Sequence, residues 1–195
     1  MKKSYKRTCA VLLFVFLILT LSCQTTCRDC GNKPSCPIED LFIDVSDLPG
    51  DQWVESGSRT YDSALFNVGI ERSGTFFSTP AAFGGALETI HRFENVEDSK
   101  EGFERLLELW KGLEPEEATW TQLEIPNDVS INPDEYRLEC SKRPEQTGKS
   151  CSYVARYDRV VIIFSVDMII VKNNDFFQII ELIDEKAAAC VATEE

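Results

Sequence analysis

Residues Val160–Val166 read VVIIFSV, and this run constrains the fold more than any other. A strand apolar at both odd and even positions can leave neither face in water, so it predicts a central strand covered on both sides. Two further stretches, Glu135 to Ser141 and Cys151 to Tyr157, also read as strands. The links between the three are short and polar, so consecutive strands should pair antiparallel.

Two helices are legible. Phe103, Leu106, Leu107 and Trp110 recur at i, i+3, i+4 and i+7, the apolar stripe of an amphipathic helix. Asp98 and Glu101 offer a capping box at its start and Gly112 closes it. Asn174-Asp175 caps a final helix carrying Phe176, Ile179, Ile180, Ile183 and Ala187. Leu41–Val45, Ala64–Ile70, Ala86–Phe93 and Trp120–Ile125 complete the expected strands, while 55–62 and 73–85 read as loops. The order β-β-β-α-β-β-β-β-α predicts one α+β domain over 41–195, a mainly antiparallel sheet with two helices packed on it.

The amino terminus carries an address. Lys2, Lys3, Lys6 and Arg7 precede the apolar run Ala10 to Leu21. That run is too short for a bilayer span, which needs about 20 residues, and has the length of a signal-peptide core. Leu19-Thr20-Leu21-Ser22-Cys23 follows and resembles the lipobox of bacterial lipoproteins. Thr20 departs from the Leu usual at that position; Ser22 before the cysteine fits. The resemblance implies that residues 1–22 are a signal peptide, that Cys23 is lipidated, and that the partner of this end is a membrane. The chain would then be exported and lipid-anchored on the extracytoplasmic face of the cell membrane or an outer membrane. Gln24, where Asp would signal inner-membrane retention, favours the outer membrane in a two-membrane envelope. Residues 23–40 read as a Cys-containing tether. The Leu48-Pro49 … Trp53 opening with an intermediate and a terminal helix resembles the Mog1/PsbP-like domains of some bacterial lipoproteins, which implies a fold and no activity.

The chain holds 33 acidic and 20 basic residues, a formal charge of −13. Without residues 1–22 the balance is 16 basic to 33 acidic, or −17. Such a charge argues against a nucleic-acid partner, which requires a basic surface. The eight cysteines match an oxidising compartment. Cys9 leaves with the signal and Cys23 takes the lipid, so six remain for disulfides. Cys140 and Cys151 flank a polar loop between neighbouring strands, where side chains meet at bonding distance. Cys190 then needs a partner among Cys27, Cys30 and Cys36. Cys36 is nearest the domain and would staple its two ends, with Cys27 and Cys30 left to pair in the tether. The sequence leaves open whether the first cysteines bond to one another or to Cys190. The C-x-x-C spacing of Cys27 and Cys30 lies outside any βαβ context, so a redox or metal role is not favoured.

The candidate chemistry is sparse. No G-x-S-x-G, P-loop or H-E-x-x-H occurs, and the acidic stretches match no calcium loop. His91, the only histidine, sits in an expected strand with no nucleophile tied to it. No catalytic residue, metal ligand or cofactor is therefore assigned. Phe76, Phe77 and Phe83 lie among Gly, Ser and Pro and form the candidate contact loop. The expected function is a tethered module that binds a protein partner or a small-molecule ligand without catalysis. The alternatives are an enzyme with an acidic or metal-assisted site and a structural envelope protein.

Overall fold

The computed structural model of the chain describes residues 36–50, 53–58, 68–79, 85–144, 148–169 and 171–192. Cys23, Cys27, Cys30 and Phe83 lie outside them, as do residues 64–67 of an expected strand. The described strands are β1 (Val54–Ser58), β2 (Glu71–Ser78), β3 (Gly85–Arg92), β4 (Thr119–Gln122), β5 (Glu135–Lys142), β6 (Ser150–Tyr157) and β7 (Val160–Asp167). Helix α1 (Val96–Lys111) follows β3 and helix α2 (Asn173–Ala192) follows β7. All seven described strands form one sheet in the order β1-β2-β3-β7-β6-β5-β4, every neighbour antiparallel. The α+β class is as the element order predicts.

β7 lies at the middle of the sheet and is covered twice. Val160, Ile162, Phe164 and Val166 pack with Ile179, Ile180 and Ile183 of α2. Val161 and Ile163 pack with Phe103, Leu106 and Leu107 of α1. The helices therefore sit on opposite faces, one core on each side. Six of the seven β7 residues Val160–Val166 are apolar and at most 4 % exposed, which is why the run tolerates no polar face except at Ser165. The hairpin to β7 turns at Asp158, whose φ of 50° is a conformation that Asp tolerates better than most residues. Asp134 accepts the Asp158 N–H at 2.6 Å and holds the turn.

Several local expectations are corrected. Leu41–Val45 is not a strand: Ile38–Leu41 and Val45–Asp47 are short 3-10 turns. Asp44 and Asp47 form a reciprocal capping box there, and such local hydrogen bonding competes with a sheet ladder. The segment nevertheless reaches the core. Ile38, Leu41, Ile43 and Leu48 are at most 3 % exposed, and the Cys36 carbonyl accepts a bond from Arg92 Nη2 at 2.7 Å. Cys36 and Ile38 thus belong to the packed domain even though they precede Leu41.

β1 occupies residues that read as a loop, and β2 covers most of the Gly/Ser-rich stretch 73–85. Pairing with β3 over eight registers overrides the weak local propensity of Ser73, Gly74 and Ser78. Helix α1 starts earlier than expected. Asn95 is its cap, accepting Asp98 N–H at 2.9 Å while its own amide donates to Asp98 Oδ2. No described helix is long and apolar enough to cross a membrane.

Candidate ligand-binding groove

Adjacent antiparallel strands align residues in rows, and one row crosses the α1 face from Phe76 (β2) through Leu87 (β3) and Ser165 (β7) to Ser152 (β6). Asp167 and Ser150, one pair further along β7 and β6, lie beside it. Under α1 the central strands carry Val154, Val161 and Ile163. Where the helix ends they change to Ser150, Ser152, Ser165 and Asp167. Small polar side chains beyond the end of a covering helix leave a hollow. It is a groove of about 480 Å³ lined by Phe76, Trp110, Glu114, Arg143, Ser165 and Asp167 among others.

Each wall is fixed by a contact. Trp110 is half-buried and donates its indole N–H to Ser152 Oγ at 2.8 Å. Ser152 donates to Ser165 at 3.1 Å, and Ser165 lies 3.4 Å from Ser150. An indole nitrogen can only donate, so this chain of hydroxyls has one direction, and the Ser165 proton is left for Ser150 or for a guest. Phe76 lies over Gly85, where an added Cβ would stand 2.7 Å from the ring's Cζ; only glycine permits that approach. Arg143 binds Glu114 through Nε at 2.8 Å and Nη2 at 3.1 Å. Those two bonds hold its pKa above the usual value. Asp167 Oδ2 accepts the Gly85 N–H at 3.2 Å.

The aromatic residues read as one contact loop do not act together. Phe76 lines the groove, whereas Phe77 points to the opposite face and is completely buried. The alternation of strand side chains, read as loop in sequence, separates them. Trp110 had been legible only as part of the apolar helix stripe. Ser150, Ser152 and Ser165 carried no sequence signal, since nothing local marks them as one floor.

Other chemistry lies elsewhere. Cys140 and Cys151 face each other across β5 and β6 and are disulfide-bonded, with Cα atoms 4.0 Å apart. Cys36 and Cys190 are bonded as well, with Cα atoms 5.4 Å apart. His91 faces α1's side of the sheet, 1 % exposed, with Nδ1 3.1 Å from the Val68 carbonyl. Burial pushes its pKa down to about 4. Glu88 faces the other side and is fully buried, accepting the Ile43 N–H at 2.9 Å. Burial pushes its carboxyl up to about 8, so it is protonated at neutral pH. Neither residue lines the groove.

A larger cavity, about 750 Å³, opens by the β6–β7 hairpin. Its cations have carboxylate partners: Arg156 pairs with Asp134 at 3.1 Å, Arg159 with Asp158 at 3.5 Å and Lys100 with Glu97 at 3.1 Å.

Fold and groove together describe an α+β module with a small concave site on one face. No protein-family model matches the sequence, and no curated protein matches it. Among solved structures, the chain is similar to the extracellular domain of PknH from Mycobacterium tuberculosis. The match has a TM-score of 0.53 at 11% identity, and covers 81% of this chain and all of that one. At that identity the likeness is one of fold.

Proposed function

We propose that this chain is an exported, lipid-anchored module that binds a small ligand in the groove under Phe76 and Trp110 and performs no catalysis. The observation that carries this reading is the change on β6 and β7 from aliphatic to hydroxyl side chains where α1 ends, beneath an indole whose N–H is held by Ser152. A purely structural sheet would continue the aliphatic packing; a ligand site combines apolar walls with a few oriented polar groups. An enzymatic reading would use Glu114 and Asp167 as the acid–base pair. Glu114, however, is held on both oxygens by Arg143, an arrangement that orients a guanidinium more than it frees a base.

Two disulfides support an oxidising address, and the solved structure with the similar fold is itself an extracellular domain. The lipobox-like Cys23 supplies the anchor in this reading, since two or more acyl chains hold a protein stably at a membrane. In cells, the native chain should partition into the detergent phase and a Cys23→Ser variant should not. A native chain found wholly in the aqueous phase would remove the anchor from the proposal.

Binding is tested on the Trp110 indole N–H resonance, assigned with Trp110→Phe. A library of small polar compounds should yield hits that move this resonance. Ser165→Leu, which fills the groove, should abolish their binding with unchanged circular dichroism. Hits that leave Trp110 unmoved and bind the variant equally would refute the groove as the site.

A further inference from the structure

Resting on the groove being a ligand site, we infer that its ligand is a neutral saccharide, a sugar ring or linked pair of rings. Three properties of the walls lead there.

The first is shape and apolarity. Phe76 begins a row that crosses β2, β3, β7 and β6, a span of about 14 Å at roughly 4.8 Å per strand, and Trp110 of α1 reaches the far end of the row through its bond to Ser152. The floor between them is Leu87 and Ser165, and the volume is about 480 Å³. Two aromatic walls over a shallow floor suit a flat, saturated ring whose faces carry C–H bonds. A large apolar guest would leave the hydroxyls of the floor unpaired, at a cost of about 1–3 kcal/mol for each group that loses water without replacement.

The second is the order of the donors and acceptors. The indole-to-serine chain runs to Ser165 and Ser150, so one hydroxyl of that pair has a proton for a guest. Arg143 spends Nε and Nη2 on Glu114, and Nη1 has no partner among the described residues. Asp167 accepts one backbone N–H through Oδ2 and is otherwise an acceptor. The groove thus offers donors and acceptors side by side. A sugar hydroxyl both gives and takes a hydrogen bond, and neighbouring hydroxyls on one ring can satisfy such an alternating edge.

The third is charge. Glu114, Arg143 and Asp167 leave the lining at −1 in a chain of −13. That balance disfavours carboxylates and phosphates and leaves neutral polar rings preferred.

The test uses the full chain, labelled with ¹⁵N, and follows the Trp110 indole N–H. The probes are glucose, N-acetylglucosamine, cellobiose, glucuronate and cyclohexanol. The neutral sugars should shift the resonance in a saturable way, with glucuronate weaker than glucose. Asp167→Asn, followed on the same resonance, and Trp110→Ala, followed by titration calorimetry, should each weaken cellobiose binding about tenfold or more while the fold is unchanged by circular dichroism. Glucuronate binding more tightly than glucose would overturn the neutral assignment. Cyclohexanol moving the resonance when no sugar does would overturn the saccharide class and leave the groove as a ligand site. A resonance moved by none of the five overturns the saccharide class; the wider library screen then decides the groove itself.

Discussion

Replacing Cys36 and Cys190 together by serine should lower the unfolding free energy by about 5 kcal/mol, and removing Cys140–Cys151 should lower it by about 3 kcal/mol. The difference follows from the chain enclosed. Cys36–Cys190 spans 154 residues and Cys140–Cys151 spans 11, and the entropy taken from the unfolded chain grows with the logarithm of that length. The native segment around Cys36 should stay docked in the variant. Ile38, Leu41 and Ile43 remain buried, Arg92 still donates to the Cys36 carbonyl, and Lys186 still donates to Phe42 at 2.8 Å. The loss therefore belongs mainly to the unfolded state. Urea denaturation of the native chain and both double variants at one pH measures it. A larger loss from the short crosslink than from the long one would contradict this account.

The second large effect is on pH. Glu88 keeps its proton to about pH 8 when folded and loses it near 4.5 when unfolded. Its contribution is complete below the unfolded pKa and falls as pH rises towards 8, by about 5 kcal/mol over the whole window. His91 has the opposite sense. Its pKa is about 4 when folded against 6.5 unfolded, so its contribution is complete above 6.5 and is lost as pH falls towards 4.

Between pH 4.5 and 6.5 the two slopes cancel, and from 6.5 to 8 Glu88 acts alone. These two groups thus produce a plateau in the mildly acidic range and a loss of about 2 kcal/mol on going from pH 6.5 to 8. In Glu88→Gln the alkaline loss should vanish, and stability should instead rise from pH 4 to 6.5 under His91 alone. Denaturant midpoints at pH 5, 6.5 and 8 decide it. A variant that keeps the drop between 6.5 and 8 would assign that drop to other groups.

What could be read in advance depends on how local the cause is. The β6–β7 pair and both helices follow from periodicity within one segment, and β7 was identified as a doubly covered strand from seven consecutive residues. β1 and β2 read as loops in the sequence because their Ser and Gly residues carry turn propensity. Their pairing to β3 supplies the stability that propensity lacks. Asp98 reads as the cap in the sequence, whereas Asn95 caps the helix and the two bond reciprocally.

The groove was the least legible part. In the sequence Trp110 belongs to the apolar stripe of its helix, Phe76 stands beside Phe77, and nothing local links Ser150, Ser152 and Ser165. Their meeting requires β3 to lie against β7 and β7 against β6, which aligns residues from distant parts of the chain in a single row.

By itself, then, the sequence determined the α+β class, the central apolar strand and the two amphipathic helices. These are properties of local pattern and composition. Only the tertiary structure decided that the helices take opposite faces, that residues 36–48 belong to the core, and that α1 stops short of the sheet's end. The physical reason is that burial and cross-strand register are set between segments far apart in the chain, so a serine on β7 becomes a groove floor only when Trp110 and Phe76 arrive beside it.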